Sequence, residues 1–225
     1  MAQHQWAPAQ DVIDIAGAIR VVEIRPGPAL DEQGLPADRA KRAHRRVEED
    51  WFAPKTYSMA IEWLERNYTR PDFFLYLDTF DPHEPWDPPM EFALRYDPDY
   101  SGMDGCIPPG MATHMTQQQV RNVKTAYAAE VTLVDKWVGR LLDTIEARGY
   151  MEDTVIVFTS DHGCMMGEQG EIHKGVDRLR NQCTRLPLLI RHPEGQAAGQ
   201  RVAGFVQHQD IMPTVLSVMG LDVPD

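Results

Sequence analysis

The chain has 225 residues, a formal charge of −12 and 43% hydrophobic residues, enough apolar matter for a sizeable core within one domain. The acidic balance excludes a generic nucleic-acid-binding surface, because phosphate backbones need a basic face, and no run approaches the ~18 apolar residues of a membrane span. Three cysteines without a C-x-x-C pair provide neither a disulfide framework nor a thiolate zinc site.

Met1 to Gln10 is polar and lacks the apolar core of a secretory leader, and the compartment stays open. Residues 11–24 contain Val12, Ile13, Ile15, Ile19, Val21, Val22 and Ile24, which reads as a short helix running into a strand. Residues 25–50 form a polar connection with Pro26, Pro28, Gly34 and Pro36, followed by the charged run Lys41 to Arg46, expected as a solvated helix face. Residues 1–54 are accordingly expected as an N-terminal segment and linker, and 55–225 as the principal domain. Thr56 to Tyr68 places Tyr57, Ile61, Leu64 and Tyr68 at helical spacing and predicts an amphipathic helix ending before Pro71. Phe73 to Leu77 is expected as a buried strand. Pro82 to Pro109 is dense in Pro, Asp and Tyr, the composition of a long loop, and loops of that length are often functional. Within it, Trp86, Tyr96 and Tyr100 either line a substrate mouth or anchor the loop.

Thr116 to Gln119 has the spacing of a capping box and opens a long helix that closes near Gly149. Thr154 to Phe158 is a nearly continuous apolar run, the pattern of a strand buried on both faces of a mainly parallel sheet. Arg185 to Arg191 supplies another short strand, and Asp210 is expected to cap a last helix that tolerates Pro213 in its first turn. Alternating strands and helices favour an α/β sheet covered by helices on both faces. No internal repeat is present.

The most informative stretch is Thr154 to Gly175, TVIVFTSDHGCMMGEQGEIHKG. Strands of this type carry chemistry at their carboxyl ends, where Asp161-His162-Gly163 sits. A carboxylate followed by an imidazole supplies two ligands to a divalent cation, and Gly163 lets the backbone turn away without a Cβ clash. Two ligands do not close a coordination sphere, so further ones must come from elsewhere. Lys174 offers a cation suited to an anionic group beside such a metal. Glu168 is expected to brace the loop, His173 to line the pocket beside Lys174, and Cys164 to be a small packed residue rather than a nucleophile. Gly163, Gly167 and Gly170 miss the dinucleotide fingerprint G-x-G-x-x-G, and Gly175 stands where a phosphate loop needs Ser or Thr.

The pattern S-D-H-G-x-x-x-G-E-x-G-x-x-x-K-G from Ser160 to Gly175 resembles the carboxyl-terminal signature of the sulfatase family, within the alkaline phosphatase superfamily. Asp78 to Trp86 (DTFDPHEPW) resembles the family's strand-end segment with a substrate-binding His. Tyr127 to Gly149 resembles the helix before the signature strand, and Gln207 to Gly220 a helix near the domain's end. The resemblance covers roughly residues 55 to 222 and implies an alkaline-phosphatase-like three-layer sandwich with a mixed, mostly parallel sheet. It implies Asp161 and His162 as metal ligands, with calcium first and manganese or zinc open. Lys174 would hold a sulfuryl oxygen, His83 would contact the ester or protonate its leaving oxygen, and His173 would neighbour the substrate. The substrate would be a small anionic ester, a sulfated sugar or an aryl sulfate.

Sulfatases of this type also carry an adjacent Asp pair and a C/S-x-P-x-R segment that matures to formylglycine. None of the segments from Cys106 (CIPPG), Cys164 (CMMGE) and Cys183 (CTRLP) completes that pattern, and Asp11 and Asp14 are not adjacent. The expectation is therefore the carboxyl-terminal part of a sulfatase-like catalytic domain, inactive alone because the nucleophile segment is absent. A phosphonate or phosphate ester hydrolase of the superfamily, or a non-catalytic remnant, are the alternatives.

Overall fold

A computed structural model describes residues 10–15, 19–24, 45–69, 72–102 and 110–223, the first two segments and Gly110 as backbone only. The chain divides into two compact units, Met1–Tyr150 with Met166–His173, and Met151–Met165 with Lys174–Asp225.

In the first unit, β1 (Gln10–Ile15) and β2 (Ile19–Ile24) pair antiparallel, and β2 pairs parallel with β3 (Phe73–Leu77), placing Arg20 opposite Phe73 and Ile24 opposite Leu77. The helix expected at the start of residues 11–24 does not form. The β-branched residues that fill both halves favour extended backbone, and ladder pairing exploits that preference. β3 forms as predicted but is only partly covered, with Tyr76 half exposed.

Helix α1 (Phe52–Arg66) starts ahead of the predicted Thr56 and buries Ala53, Tyr57, Ala60 and Leu64 along one stripe. Phe73 meets Trp63 and Tyr150 edge-on at centroid distances of 5.1 and 5.5 Å, and the Tyr150 hydroxyl donates to the Leu64 carbonyl at 3.3 Å. The loop expected over residues 82–109 contains a short helix, α2 (Met90–Ala93), whose Phe92 and Ala93 are buried. Trp86 and Tyr100 are buried anchors of the loop, whereas Tyr96 is half exposed and shares a 2.5 Å hydrogen bond with Thr132 Oγ1. Residues 103–109 and Lys41 to His44 lie outside the described residues. Arg45, expected on a solvated face, instead lies over the Trp51 ring and pairs with Asp87 at 2.6 Å, its side chain 8% exposed.

The long helix α3 (Gln117–Ala147) begins at the predicted capping box. Thr116 Oγ1 accepts from the Gln119 amide at 3.2 Å, and Gln119 Oε1 accepts from the Thr116 amide at 2.8 Å. Its buried seam runs Val123, Ala126, Ala129, Leu133, Trp137, Leu141, Ile145, and it packs on α1. β4 (Gly110–Met111) pairs antiparallel with β7 (Glu171–His173), and β6 (Met165–Met166) flanks β7 on its other side. Ile172 and His173 are buried.

The second unit holds β5 (Ile156–Thr159) antiparallel to β8 (Leu188–Arg191), with Ile156 opposite Arg191. It also holds α4 (Asn181–Thr184) and α5 (Ile211–Val218). β5 is not buried on both faces, for Phe158 is 39% exposed and β8 is its only partner strand among the described residues. Apolarity predicted the strand, but covering it requires a neighbouring layer that periodicity does not report. Asp210 does not cap α5 with its side chain. Its carboxylate accepts instead from the Gln207 amide at 2.8 Å, closing the 3-10 turn that precedes the helix.

Candidate active site

In the second unit the chain leaves β5 into Ser160-Asp161-His162-Gly163, and three bonds fix this turn. The Ser160 hydroxyl donates to the His162 carbonyl at 2.9 Å, His208 Nε2 donates to the Ser160 carbonyl at 2.8 Å, and the Gly163 amide donates to the Cys183 carbonyl at 2.9 Å. Gly163 is required for space: a Cβ there would lie 1.9 Å from the Gln182 carbonyl oxygen. The glycine in D-H-G thus lets the turn dock directly on the backbone of α4.

Asp161 accepts the His162 amide through Oδ1 at 2.8 Å and is largely exposed, leaving Oδ2 3.3 Å from His162 Nε2. His162 Nδ1 lies 3.0 Å from the Gly163 carbonyl oxygen. A carbonyl only accepts, so Nδ1 carries the proton, and in the neutral ring Nε2 bears the lone pair. A lone pair and a carboxylate oxygen facing each other at this distance call for a cation or a shared proton between them. An O,N donor pair with its tautomer fixed from behind fits a divalent metal ion. Among the described residues no group of three His, Cys, Asp or Glu side chains is disposed to hold one. Lys174 resumes this unit after β7 and is half buried.

In the first unit, His83 sits in a loop that two buried carboxylates fasten. Asp81 Oδ2 accepts the Ala53 amide in the first turn of α1 at 2.7 Å, and Glu130 Oε1, from mid-α3, accepts the Asp87 amide at 2.7 Å. Burial, only partly offset by the Ala53 amide and Arg45, pushes the Asp81 carboxyl up to about 6. Burial and then the neighbouring Asp81 charge hold Glu130 well above the usual carboxylate range. Asp81-Pro82 and Glu84-Pro85 are both cis. The His83 ring lies on Phe80 with centroids 4.5 Å apart, and its Nδ1 is 2.5 Å from the Glu84 carbonyl oxygen. Nδ1 must again be the donor, so His83 offers Nε2.

His173 is 2% exposed, stacks on Trp86 at 4.9 Å, and has no hydrogen-bond partner for either ring nitrogen among the described residues. Glu168 braces its loop as expected, accepting the Met166 amide at 2.6 Å and pairing with Lys124 at 3.3 Å. Although partial burial opposes it, these partners hold the Glu168 carboxyl below its ordinary value. Gly167, at φ +98°, starts this turn in a conformation that favours glycine. Cys164 is half buried.

Of the residues singled out in the sequence, His83 and His173 therefore belong to the first unit, while Asp161, His162 and Lys174 belong to the second. Sequence reasoning missed Asp81, Glu84, Glu130 and His208. Asp81 and Glu84 flank His83 inside the D-P-H-E-P-W segment, and His208 is the second residue of the segment 207–220, so their positions were in view without their roles.

The sequence profile of the family described as Sulfatase matches residues 41–221. A sulfatase of Formosa agariphila is 31% identical over 251 aligned positions, covering 97% of this chain and 48% of that protein. An N-acetylglucosamine-6-O-sulfatase of Bacteroides thetaiotaomicron is 38% identical over 108 positions, 48% of this chain and 18% of that protein. Among solved structures, the phosphonate monoester hydrolase of Agrobacterium radiobacter superposes with a TM-score of 0.68 at 22% identity, over 79% of this chain and 40% of that one, a likeness of fold. The chain spans less than half the length of these relatives.

Proposed function

The chain belongs to the sulfatase family, with the fold of the alkaline phosphatase superfamily, and from that premise we propose that it carries the metal- and anion-binding part of an enzyme that hydrolyses sulfate esters. The observation that carries this reading is the Asp161–His162 pair, whose tautomer is fixed by the Gly163 carbonyl so that an imidazole lone pair and a carboxylate oxygen converge. A divalent ion held there, calcium first and manganese or zinc otherwise, would supply Lewis-acid stabilisation of sulfuryl charge. The nucleophile, a formylglycine in sulfatases of this type, is assigned to residues outside these 225.

The chain's own residues take three roles. Lys174 binds an oxygen of the sulfate group and stabilises charge that grows in the transition state. His83, anchored at Nδ1, donates its Nε2 proton to the leaving oxygen when charged. His173, adjacent to Lys174 in sequence but 2% exposed and stacked on Trp86, supports the substrate side from within rather than lining it. The substrate is a small sulfate ester; a sulfated sugar is favoured by the N-acetylglucosamine-6-O-sulfatase among the relatives. Phosphonate or phosphate ester hydrolysis is the second reading, because the same carboxylate, imidazole and ammonium set suits those anions.

The test is turnover of an aryl sulfate, a glucosamine 6-sulfate and a phosphonate monoester. It is run with the 225-residue chain and with the chain extended by whatever coding sequence lies upstream of Met1, with and without chelator. Sulfate turnover in the extended protein, abolished by chelator and reduced roughly 100-fold or more by Asp161→Asn or Lys174→Ala, is the expected result. A dominant phosphonate activity would overturn the substrate assignment, and sulfate turnover indifferent to chelator would overturn the metal. Absence of any activity in the extended protein would favour the non-catalytic remnant.

A further inference from the structure

We propose that Glu84 is a positioning residue that joins His83 and His173 into one unit. Its two carboxylate oxygens face the same ring atom of two different imidazoles: Oε2 is 3.6 Å from His83 Nδ1, and Oε1 is 3.4 Å from His173 Nδ1. The carboxylate is itself largely covered, its side chain 19% exposed. His173 stacks on Trp86, two residues further along the same loop, so its ring plane is set independently of the carboxylate.

An ionised carboxylate only accepts hydrogen bonds. Placed between two rings, it favours the proton on Nδ1 of both and leaves the lone pair of the neutral ring on Nε2. At His83 the Glu84 backbone carbonyl enforces the same choice at 2.5 Å; at His173, where neither ring nitrogen has a hydrogen-bond partner among the described residues, the negative charge of Glu84 Oε1 at 3.4 Å from Nδ1 supplies the bias. The arrangement therefore makes an asymmetric prediction. Glu84 alone dictates the His173 tautomer, while its backbone and side chain together dictate that of His83. In the reaction, which rests on the sulfate-ester reading above, the carboxylate also stabilises the imidazolium form of His83 that gives its Nε2 proton to the leaving oxygen.

Nitrogen-15 spectra of histidine-labelled protein, taken where the rings are neutral, read the tautomers directly. In the wild type, both His83 and His173 are expected to carry the proton on Nδ1. In Glu84→Gln the amide offers oxygen or NH₂ to the ring, so His173 should pass wholly or partly to the Nε2–H form while His83 keeps Nδ1–H. Glu84→Asp, whose shorter carboxylate cannot span both rings, should release His173 in the same way, and it serves if the Gln variant loses its native backbone amide spectrum. A wild-type His173 protonated on Nε2, or a His173 signature unmoved in a natively folded variant, would overturn the proposal. In turnover, Glu84→Gln should lower kcat about tenfold for an alkyl sulfate with a poor leaving group, and little for an activated aryl sulfate, with KM nearly unchanged. The spectra are independent of catalysis. Failure to hydrolyse sulfate esters would sink the activity and leave the tautomers standing, whereas the wrong tautomer would sink Glu84 and leave the activity untouched.

Discussion

Replacing Gly163 by Ala puts a methyl group where the structure has none to spare. The new Cβ would lie 1.9 Å from the Gln182 carbonyl oxygen, 3.0 Å from its carbon and 3.2 Å from Cys183 Cα. Ordinary carbon–oxygen contact is about 3.3 Å, so turn and α4 must part by about 1.4 Å. Because all three neighbours are backbone, no side chain can swing aside to absorb the strain. The separation also breaks the 2.9 Å bond from the Gly163 amide to the Cys183 carbonyl. Overpacking costs about 1–3 kcal/mol and the lost bond about 1 kcal/mol more, so the expected cost is about 2–4 kcal/mol. The five tryptophans all precede Met151 in the sequence, which makes indole fluorescence a poor reporter of the second unit. Amide hydrogen exchange across residues 156–163 and 182–191 reads it instead, and the turn should exchange roughly 30- to 1,000-fold faster than in the wild type. Asp161 and His162 move with the turn, so affinity for the proposed metal ion should fall in parallel. Exchange within about threefold of wild type would refute the claim that this glycine is there for close backbone approach. Gly139→Ala is the control: it lies within α3 with nothing inside 4 Å of the added Cβ and should stabilise by about 0.5–1 kcal/mol.

Asp81 and Glu130 should give the protein a stability that declines as pH rises. Burial raises the Asp81 carboxyl in the folded chain from its ordinary 3.8 to about 6, so the favourable contribution is complete below about 4 and is lost through about 6; Glu130 acts in the same direction. Asp81→Asn, which keeps an acceptor for the Ala53 amide, should flatten that part of the stability profile by on the order of 3 kcal/mol relative to wild type; parallel profiles in urea unfolding would contradict it. Thr116→Ala should cost about 0.5–2 kcal/mol by removing the α3 cap, read as a lower thermal midpoint, and no change would mean the cap frays in solution. The β5–β8 pair exposes Phe158, Leu189 and Ile190 at 39%, 58% and 54%, so the 225-residue chain should bind a hydrophobic dye, and Leu189→Lys with Ile190→Lys should weaken that signal; a chain that ignores the dye would speak against an open apolar face there.

How much of this could be read from the sequence depends on the range of the interactions. The α3 boundaries followed from Thr116, Gln119 and a seam of apolar residues, all local signals that survive into the fold. Residues 11–24 misled because β-branched residues do not announce which strand will pair with them: β1 pairs with its neighbour β2, and β2 pairs also with β3, some fifty residues downstream. Phe158 and its neighbours look alike whether a layer covers them or not. The D-H-G turn was legible as chemistry, but the need for its glycine came from α4, which no spacing in the motif reveals. Asp81 and Glu130 were invisible for the same reason: their amide partners lie 28 and 43 residues away. Glu84 was hidden differently, adjacent to the histidine under scrutiny yet defined by a third residue, His173, that only folding brings to it.

The path of the chain through Met166–His173 has one last consequence. Eight residues leave one compact unit, complete the other, and return, so neither unit corresponds to an uninterrupted stretch of gene. Ending translation at Tyr150 would strip the first unit of Met166, Ile172 and His173, three of its buried side chains. Shuffling by simple recombination cannot exchange one unit and spare the other, which binds the inheritance of the histidine pair to that of the Asp161–His162 turn and Lys174 on either side of the excursion.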